Sequence, residues 1–279
     1  MEFRTVVDIP KPDFEIEPCE EMLFVGSCFA DNIGARFKEE KFRAVVNPYG
    51  VMYNPASILH TIQRLYTSPS SLPTPHSTKT AFLTLATNHI YRLNETGEIV
   101  DNCQKRPASD FVRYRLTVDD IVSTWQPILQ KHTDKRFIFT VSPIRHIKDG
   151  LHENQLSKGI LLQAIDRLLS ADDTFRDRVQ YFPSYEIVLD ELRDYRFYAA
   201  DMLHPSDVAV EYVFSRFVQT YLYEPHTQAD MRTLHQLYQD LHHRPMHPES
   251  IEYQQFRQGV MQRAEQLRVR FPWLPDALF

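Results

Sequence analysis

The chain has 279 residues and a mass of 32.9 kDa, enough to bury the core of one large domain, with or without an appendage. Its 31 basic and 37 acidic residues leave a net charge of -6, which gives no electrostatic case for binding nucleic acid or an anionic membrane. The sequence has no apolar run long enough for a membrane span and no signal-peptide pattern at its start, so we expect a cytoplasmic protein.

The first predicted elements meet at Ser27. Residues 22–26 form a short apolar run typical of a buried strand, and apolar residues recur at roughly helical spacing over residues 30–42. In an open parallel sheet, ligands collect where a strand gives way to a helix, and the first amides of that helix are unpaired donors. We therefore predict that Ser27 is a nucleophile and that its own N–H stabilises an oxyanion.

Two other interpretations of this stretch stay open. Ser27 taken alone is typical of a helix cap, and the neighbouring Cys28 offers a thiol as nucleophile. Cys19, Cys28 and Cys103 are an odd number of cysteines without a C-x-x-C pair. They therefore argue against a disulfide framework and against a cysteine-built zinc site.

Strands and helices alternate along the next part of the chain. We interpret residues 81–100 as an inserted β-hairpin, and Thr117 as the cap of a helix. This alternation predicts a doubly wound α/β domain with a mostly parallel sheet. After the first helix the predicted elements are a strand at 43–47, a helix from Asn54-Pro55 that ends before Ser68, a loop at 68–78, the hairpin, a helix at 118–131, a strand at 137–141, a helix at 157–169, a strand at 179–182, and helices at 185–192 and 207–223.

The last part of the chain has a different character. Residues 227–243 and 248–270 are long, charged and sparse in apolar residues, which predicts two helices. We expect them to form a hairpin that packs on the main domain or on a protein partner. The chain is therefore divided into an α/β domain at 1–223 and a C-terminal helical extension at 224–279.

A serine hydroxyl is too weakly acidic to attack unaided, and it needs a histidine base that a carboxylate orients. Asp201 and His204 are three residues apart in a predicted loop before the last helix of the α/β part. That spacing lets the carboxylate reach Nδ1 of His204 while Nε2 faces Ser27. Taken alone, Asp201 and His204 are more typical of a capping carboxylate and a surface histidine, so the prediction depends on these two residues and Ser27 together.

Residues 26–30 spell Gly-Ser-Cys-Phe-Ala, the string after which the GSCFA family is named, and the sequence resembles that family over roughly residues 20–220. The family is grouped with the SGNH or GDSL-like hydrolases, which have a flavodoxin-like three-layer α/β/α fold and cleave acyl esters. By this resemblance the string stands for the first conserved block of the superfamily, and residues 201–205 stand for the block that supplies Asp and His. The resemblance therefore implies a Ser-His-Asp triad that works without a cofactor.

The remaining oxyanion-hole residues of that superfamily are harder to assign. They are a glycine amide after the second core strand and an asparagine side chain after the third. Gly50 is our candidate for the glycine, although a turn that needs a flexible backbone explains it equally well. With residues 137–141 taken as the third core strand, the expected Gly-x-Asn is missing, and Arg145 or His146 is the candidate donor in its place.

The segment 146–154 holds two histidines and two acids within eight residues, which can also be interpreted as a metal site. Gly150 would break a helix that could align these side chains, so we favour a loop network that orders the pocket and expect no metal. His152 and Asn154 are candidates for lining the substrate cleft.

Together these residues predict a serine esterase. Its substrate is expected to be a small-molecule or glycan acyl ester, such as an O-acetylated carbohydrate or a lipid. Two alternatives stay open: an acyltransferase that uses the same triad, and a non-hydrolytic protein that binds a carbohydrate or lipid. The C-terminal helices are a candidate surface for a protein partner.

Overall fold

The computed structural model describes residues 4–18, 20–67, 78–103 and 106–274. Its strands are β1 (Met22–Gly26), β2 (Ala44–Val46), β3 (Thr80–Leu85), β4 (His89–Leu93), β5 (Ile99–Val100), β6 (Phe111–Arg115), β7 (Arg136–Val141) and β8 (Val179–Tyr181). Its helices are α1 (Cys28–Glu39), α2 (Pro55–Thr67), α3 (Val118–Lys131), α4 (Leu151–Ser170), α5 (Ser184–Glu186), α6 (Asp207–Tyr221), α7 (Pro225–Leu241) and α8 (Ile251–Arg270). Within these ranges, no helix combines the length and apolar character that a membrane span requires.

The main sheet is parallel, and its strands run in the order β2-β1-β3-β7-β8. Because successive side chains of a strand point to opposite faces, the sheet contributes to a core on each of its two faces. Phe24, Phe82 and Ile138 stand side by side in the register and face a core shared with α1 and α6. Leu83 and Phe139 face the other core, which they share with α2, α3 and α4. The fold is therefore the predicted three-layer α/β/α arrangement around a mostly parallel sheet.

The structure corrects the interpretation of residues 81–87. We expected them in the inserted hairpin, but β3 lies in the middle of the main sheet, between β1 and β7. All six residues of β3 are buried, as is usual for a parallel strand covered on both faces. The insertion itself, within the described residues, is an antiparallel sheet of order β5-β4-β6, and its strand β6 was not predicted.

The helices lie where they were predicted, but several boundaries differ. The predicted helix at 185–192 is a short α-helix, Ser184–Glu186, followed by a π-helix at Ile187–Glu191. Thr117 caps α3 through a capping box with Asp120, as its position before residues 118–131 predicted. Helix α4 begins at Leu151 instead of residue 157, so His152 and Asn154 lie in its first turn. Gly150 precedes this helix with a φ of 88°, and it therefore marks the start of a helix, not a break inside one.

The C-terminal helices pack on the main domain. Leu234 and Leu237 of α7 and Val260 and Ala264 of α8 are buried in the same core as Phe214 of α6. Of the two arrangements that we considered for these helices, packing on the main domain is therefore the one observed. The boundary at residue 223 stays a prediction.

Candidate active site

The site begins where β1 ends at Gly26. This glycine has a φ of 143°, and a Cβ added to it would lie 2.3 Å from the carbonyl oxygen of Thr84. Its N–H donates to Asn47 Oδ1 at 2.8 Å. Glycine is therefore needed here because the chain passes against β3 just before Ser27.

Ser27 is both a helix cap and part of a hydroxyl cluster. Its Oγ accepts from the N–H of Phe29 at 3.2 Å, donates to Ser142 Oγ at 3.0 Å and lies 3.1 Å from Thr84 Oγ1. Its own N–H donates to Thr84 Oγ1 at 2.9 Å, with Thr84 O at 3.3 Å. The amide predicted to stabilise an oxyanion is therefore already engaged with Thr84.

Asp201 and His204 form the predicted acid–imidazole pair. Nδ1 of His204 donates to Asp201 Oδ2 at 2.6 Å, while Asp201 Oδ1 accepts from the N–H groups of Leu203 and His204 at 2.9 and 3.0 Å. These backbone bonds, followed by the His204 side chain, lower the pKa of Asp201 to about 2. Met202, inside this turn, has a φ of 59°, so the loop is held in a left-handed conformation that non-glycine residues rarely adopt.

Ser27 and His204 line the same cleft, whose volume is about 630 Å³. No hydrogen bond joins the two side chains, and Nε2 of His204 has no hydrogen-bond partner within the described ranges. A larger groove of about 1020 Å³ lies beside residues 4–6, and none of the three predicted triad residues lines it. The cleft of Ser27 and His204 is therefore the candidate active site.

The sequence matches the GSCFA family over residues 21–74 and 70–217, and the C-terminal domain of GSCFA domain proteins over residues 234–276. The chain belongs to the GSCFA family. No curated protein matches its sequence.

Two solved structures are similar to this GSCFA protein at low sequence identity. A member of the lipolytic protein G-D-S-L family from Veillonella parvula DSM 2008 aligns with a TM-score of 0.46 and 12% identity, over 74% of this chain and 100% of that chain. Axe2, an acetylxylan esterase from Geobacillus stearothermophilus, aligns with a TM-score of 0.41 and 10% identity, over 76% of this chain and 98% of that chain.

Gly50 lies away from the cleft of this GSCFA protein. Its N–H donates to Asn47 O at 2.8 Å in a turn, and it is not among the residues that line the cleft. The side chain of His152 is exposed and also lies outside the cleft lining. Asn154 is buried and supports the cleft from behind, because its Oδ1 accepts from the N–H of His146 at 3.0 Å.

Arg145 lines the cleft and ties the loop after β7 to the His204 loop. Its backbone N–H donates to Leu203 O at 3.2 Å, and its Nη1 lies 3.4 Å from Met202 O. The guanidinium stacks 4.2 Å from the ring centroid of Tyr198. These contacts hold the loop that carries Asp201 and His204 at the edge of the cleft.

His146 lines the cleft as a neutral imidazole. Burial, followed by the positive charge of Lys158, lowers its pKa to about 4. Its Nε2 is buried without a hydrogen-bond partner in the described part of the chain. The side chain of His204, by contrast, is 41% exposed.

The predicted metal-like segment 146–154 does not bring its ligand types together. Asp149 pairs with Arg113, and Glu153 pairs with Arg115. Among the described residues, three ligand-type atoms meet only at Glu15, Glu17 and His226, on another part of the surface. The two acids of the segment therefore fasten α4 and its preceding loop to the inserted sheet, in line with the loop network that we favoured.

Sequence reasoning missed three residues around Ser27. Thr84 was hidden because its strand was placed in the hairpin, and Lys158 had no signal beyond its helix. Asn54 was identified only as a helix cap. Its Oδ1 does accept from the N–H and Oγ of Ser57, at 2.9 and 3.1 Å, but the residue also lines the cleft.

The predictions about cysteines are tested in part. Cys19 lies outside the described residues, as do residues 68–77 of the predicted loop. Cys28 and Cys103 are free thiols, and both line the cleft. Sγ of Cys28 lies 3.9 Å from Tyr53 Oη.

Proposed function

We propose that this GSCFA protein is a serine esterase that hydrolyses an acyl ester through Ser27, His204 and Asp201. One observation carries the proposal: a serine from the start of the chain and a carboxylate-bound histidine from its last third line the same cleft. A hydroxyl in a cleft alone is common. A hydroxyl that shares the cleft with a histidine whose Nδ1 is bound to a carboxylate is the arrangement that nucleophilic catalysis requires.

The chemistry follows from the tautomer of His204. The carboxylate of Asp201 only accepts hydrogen bonds, so Nδ1 carries the proton and the lone pair of Nε2 is free to act as a base. We propose that Nε2 takes the proton of Ser27 Oγ as this oxygen bonds to the ester carbonyl carbon. The tetrahedral intermediate then expels the alcohol, which receives the proton from Nε2. Water attacks the acyl-enzyme in the same way, which releases the acid and restores Ser27.

The oxyanion needs a donor other than the two amides first considered, since those of Ser27 and Gly50 are bonded to Thr84 and Asn47. We propose the Nδ2 group of Asn54. It makes no hydrogen bond with any described residue, and the amide plane is held because Oδ1 caps α2. A donor held in place before the reaction needs little reorganisation in the transition state, which is the condition for strong electrostatic stabilisation.

The acidic residues of the cleft lining do not call for a cationic substrate. Asp101 is paired with His60 at 2.7 Å, and Asp149 is paired with Arg113, so these carboxylates are already compensated. Tyr53 and Tyr91 add partly exposed aromatic rings. Aromatic faces beside polar groups suit a sugar, so we propose an acylated carbohydrate, with an O-acetyl ester as its simplest form.

The test combines hydrolysis with covalent labelling. Wild type is expected to release p-nitrophenol from p-nitrophenyl acetate and acetate from an acetylated xylo-oligosaccharide, and to bind a fluorophosphonate at Ser27. Ser27→Ala should lose turnover and labelling. Its matched control is Ser250→Ala, which removes another N-cap hydroxyl, that of α8, away from the cleft.

Each contrary outcome has a definite meaning. Labelling that persists unchanged in Ser27→Ala would show that another residue is the nucleophile. Binding of the oligosaccharide without release of acetate would favour the non-hydrolytic alternative. Acetyl transfer to a sugar acceptor in preference to water would favour an acyltransferase with the same triad.

A further inference from the structure

Lys158 is a buried cation beneath the cleft. Its side chain is only 1% exposed, and its Nζ donates to the carbonyl oxygens of Ala86 and Ser142, each at 2.7 Å. No carboxylate contacts the ammonium group within the described ranges. An unpaired buried lysine is rare and unfavourable for stability, so its presence calls for a reason.

The two carbonyls that bind Lys158 belong to the strand ends that hold Ser27. Ser142 follows β7 directly, and its hydroxyl accepts the hydrogen bond from Ser27 Oγ at 3.0 Å. Ala86 follows β3, two residues after Thr84, whose hydroxyl lies 3.1 Å from the same Oγ. One ammonium group therefore bridges the two strands whose hydroxyls contact the nucleophile.

We propose that Lys158 is a positioning residue for the esterase reaction, which holds the ends of β3 and β7 and places a buried positive charge behind Ser27. The inference rests on the proposed function. Lys158 acts through Ser142 and Thr84 and does not touch the substrate. A negative charge that develops near Ser27 is attracted by this cation, and the attraction is strong because the surroundings exclude water.

The available hydrogen bonds make such a charge useful. The N–H groups of Ser27 and Gly50 donate within the protein, which leaves Asn54 as the side-chain donor that we propose for the oxyanion. Arg145 is stacked on Tyr198 and bonded to the His204 loop. A buried cation under the strand ends supplies the positive potential that a fuller set of backbone donors would otherwise provide.

The charge of Lys158 can be changed without breaking its contacts. Burial lowers its pKa from 10.5 to about 7, and a neutral amine keeps two N–H groups, enough for both carbonyls. The groups facing it are the uncharged carbonyls after β3 and β7, Tyr185 of α5 with its ring centroid 5.9 Å away, and the neutral His146. Raising the pH through about 7 therefore removes the charge and leaves the support in place.

The experiment compares kcat for p-nitrophenyl acetate across pH in wild type, Lys158→Met and Lys131→Met. Lys131 is an exposed lysine in the last turn of α3, so its variant controls for the loss of a charge elsewhere. Wild type and Lys131→Met should lose activity by about tenfold or more as the pH rises through about 7. Lys158→Met should be low throughout and lack this falling limb. Melting temperature, measured in parallel, confirms that each variant is folded.

Two results would overturn the inference. One is a folded Lys158→Met with wild-type kcat, and the other is a Lys158→Met profile that keeps the falling limb. If this variant does not fold, the rate of fluorophosphonate labelling of wild-type Ser27 is measured from pH 6 to pH 9 instead. A labelling rate that does not change over this range would contradict a role for the charge. A wild type that is never labelled and never hydrolyses an ester would instead disprove the proposed function.

Discussion

Substitution of Gly26 by alanine tests the packing that places Ser27 in the cleft. The new Cβ would lie 2.3 Å from Thr84 O and 2.4 Å from Thr84 Oγ1, distances that real Cβ atoms do not show. The clash involves backbone of a strand paired on both sides, so it cannot be relieved by turning one side chain. We estimate about 1–3 kcal/mol for the unfavourable φ and about 1–3 kcal/mol for overpacking, so about 2–6 kcal/mol in total.

Urea unfolding of Gly26→Ala is compared with that of Gly97→Ala. Gly97 also has a positive φ, 71°, but a Cβ there meets nothing within 4 Å, so its variant carries backbone strain without the clash. Gly26→Ala should lose more stability, and its Ser27 should react more slowly with a fluorophosphonate because the strand end is displaced. Equal losses of stability in the two variants, with labelling of Ser27 unchanged, would refute the packing that we infer.

The remaining predictions concern the cleft and its buried charge. Asn54→Ser keeps an N-cap oxygen but removes the amide donor, so kcat should fall about 10²-fold while urea unfolding changes by less than about 0.5 kcal/mol. Arg145→Met removes the contacts with Tyr198 and with the His204 loop, and steady-state kinetics should show a lower kcat at nearly unchanged melting temperature. Asp201→Asn should lower kcat about 10³-fold or more in steady-state kinetics; since the pKa of Asp201 is about 2, wild-type kcat measured above pH 4 should show no limb from protonation of this carboxylate. Between about pH 7 and 10.5, Lys158 is neutral in the folded protein and protonated in the unfolded chain. The free energy of unfolding of wild type, measured in urea, should therefore rise over that range by up to about 5 kcal/mol relative to that of Lys158→Met.

The local features of the fold could be predicted because they depend on short stretches of sequence. The apolar run before Ser27, the Asn-Pro start of α2 and the cap at Thr117 each specify one element by themselves. The pair of Asp201 and His204 was predictable for the same reason, since a spacing of three residues in one loop brings the two side chains together. Short stretches of sequence were therefore enough to predict the alternation of strands and helices and two residues of the proposed triad.

The position of β3 could not be predicted from local pattern. Its residues lie only a few positions before β4, which makes a hairpin the simplest interpretation. Its hydrogen-bonding partners are instead β1 and β7, which are distant in sequence. Because β3 was placed in the hairpin, β7 was counted as the third core strand. The search for an oxyanion donor after the third strand therefore began at Ser142. The true third strand is followed by Asn88, whose Nδ2 donates to Leu116 O and which does not line the cleft.

The sequence alone could not decide between candidate oxyanion donors because hydrogen-bond partners are set by tertiary contacts. Gly50 is a suitable glycine by type, but its N–H closes a turn onto Asn47, a residue with a φ of 40°. The amide of Ser27 is taken up by Thr84, a residue of β3 that the sequence placed elsewhere. Asn54 was correctly identified as a cap, yet only the structure shows that a capping side chain has a second group beside the cleft.

The hydrogen bonds of Ser27 describe a resting arrangement that the proposed reaction would have to change. Its hydroxyl proton is directed at Ser142 Oγ, so in the mechanism that we propose it turns to His204 Nε2 before attack. The exchange gives up one neutral hydrogen bond, about 1 kcal/mol in net terms, and forms another. Ser142 Oγ keeps a contact from the N–H of Ile144 at 3.4 Å, so it is not left without a partner. A step of this size is small beside a barrier to ester hydrolysis, and the absence of a Ser27–His204 bond in the free protein is therefore compatible with a working triad.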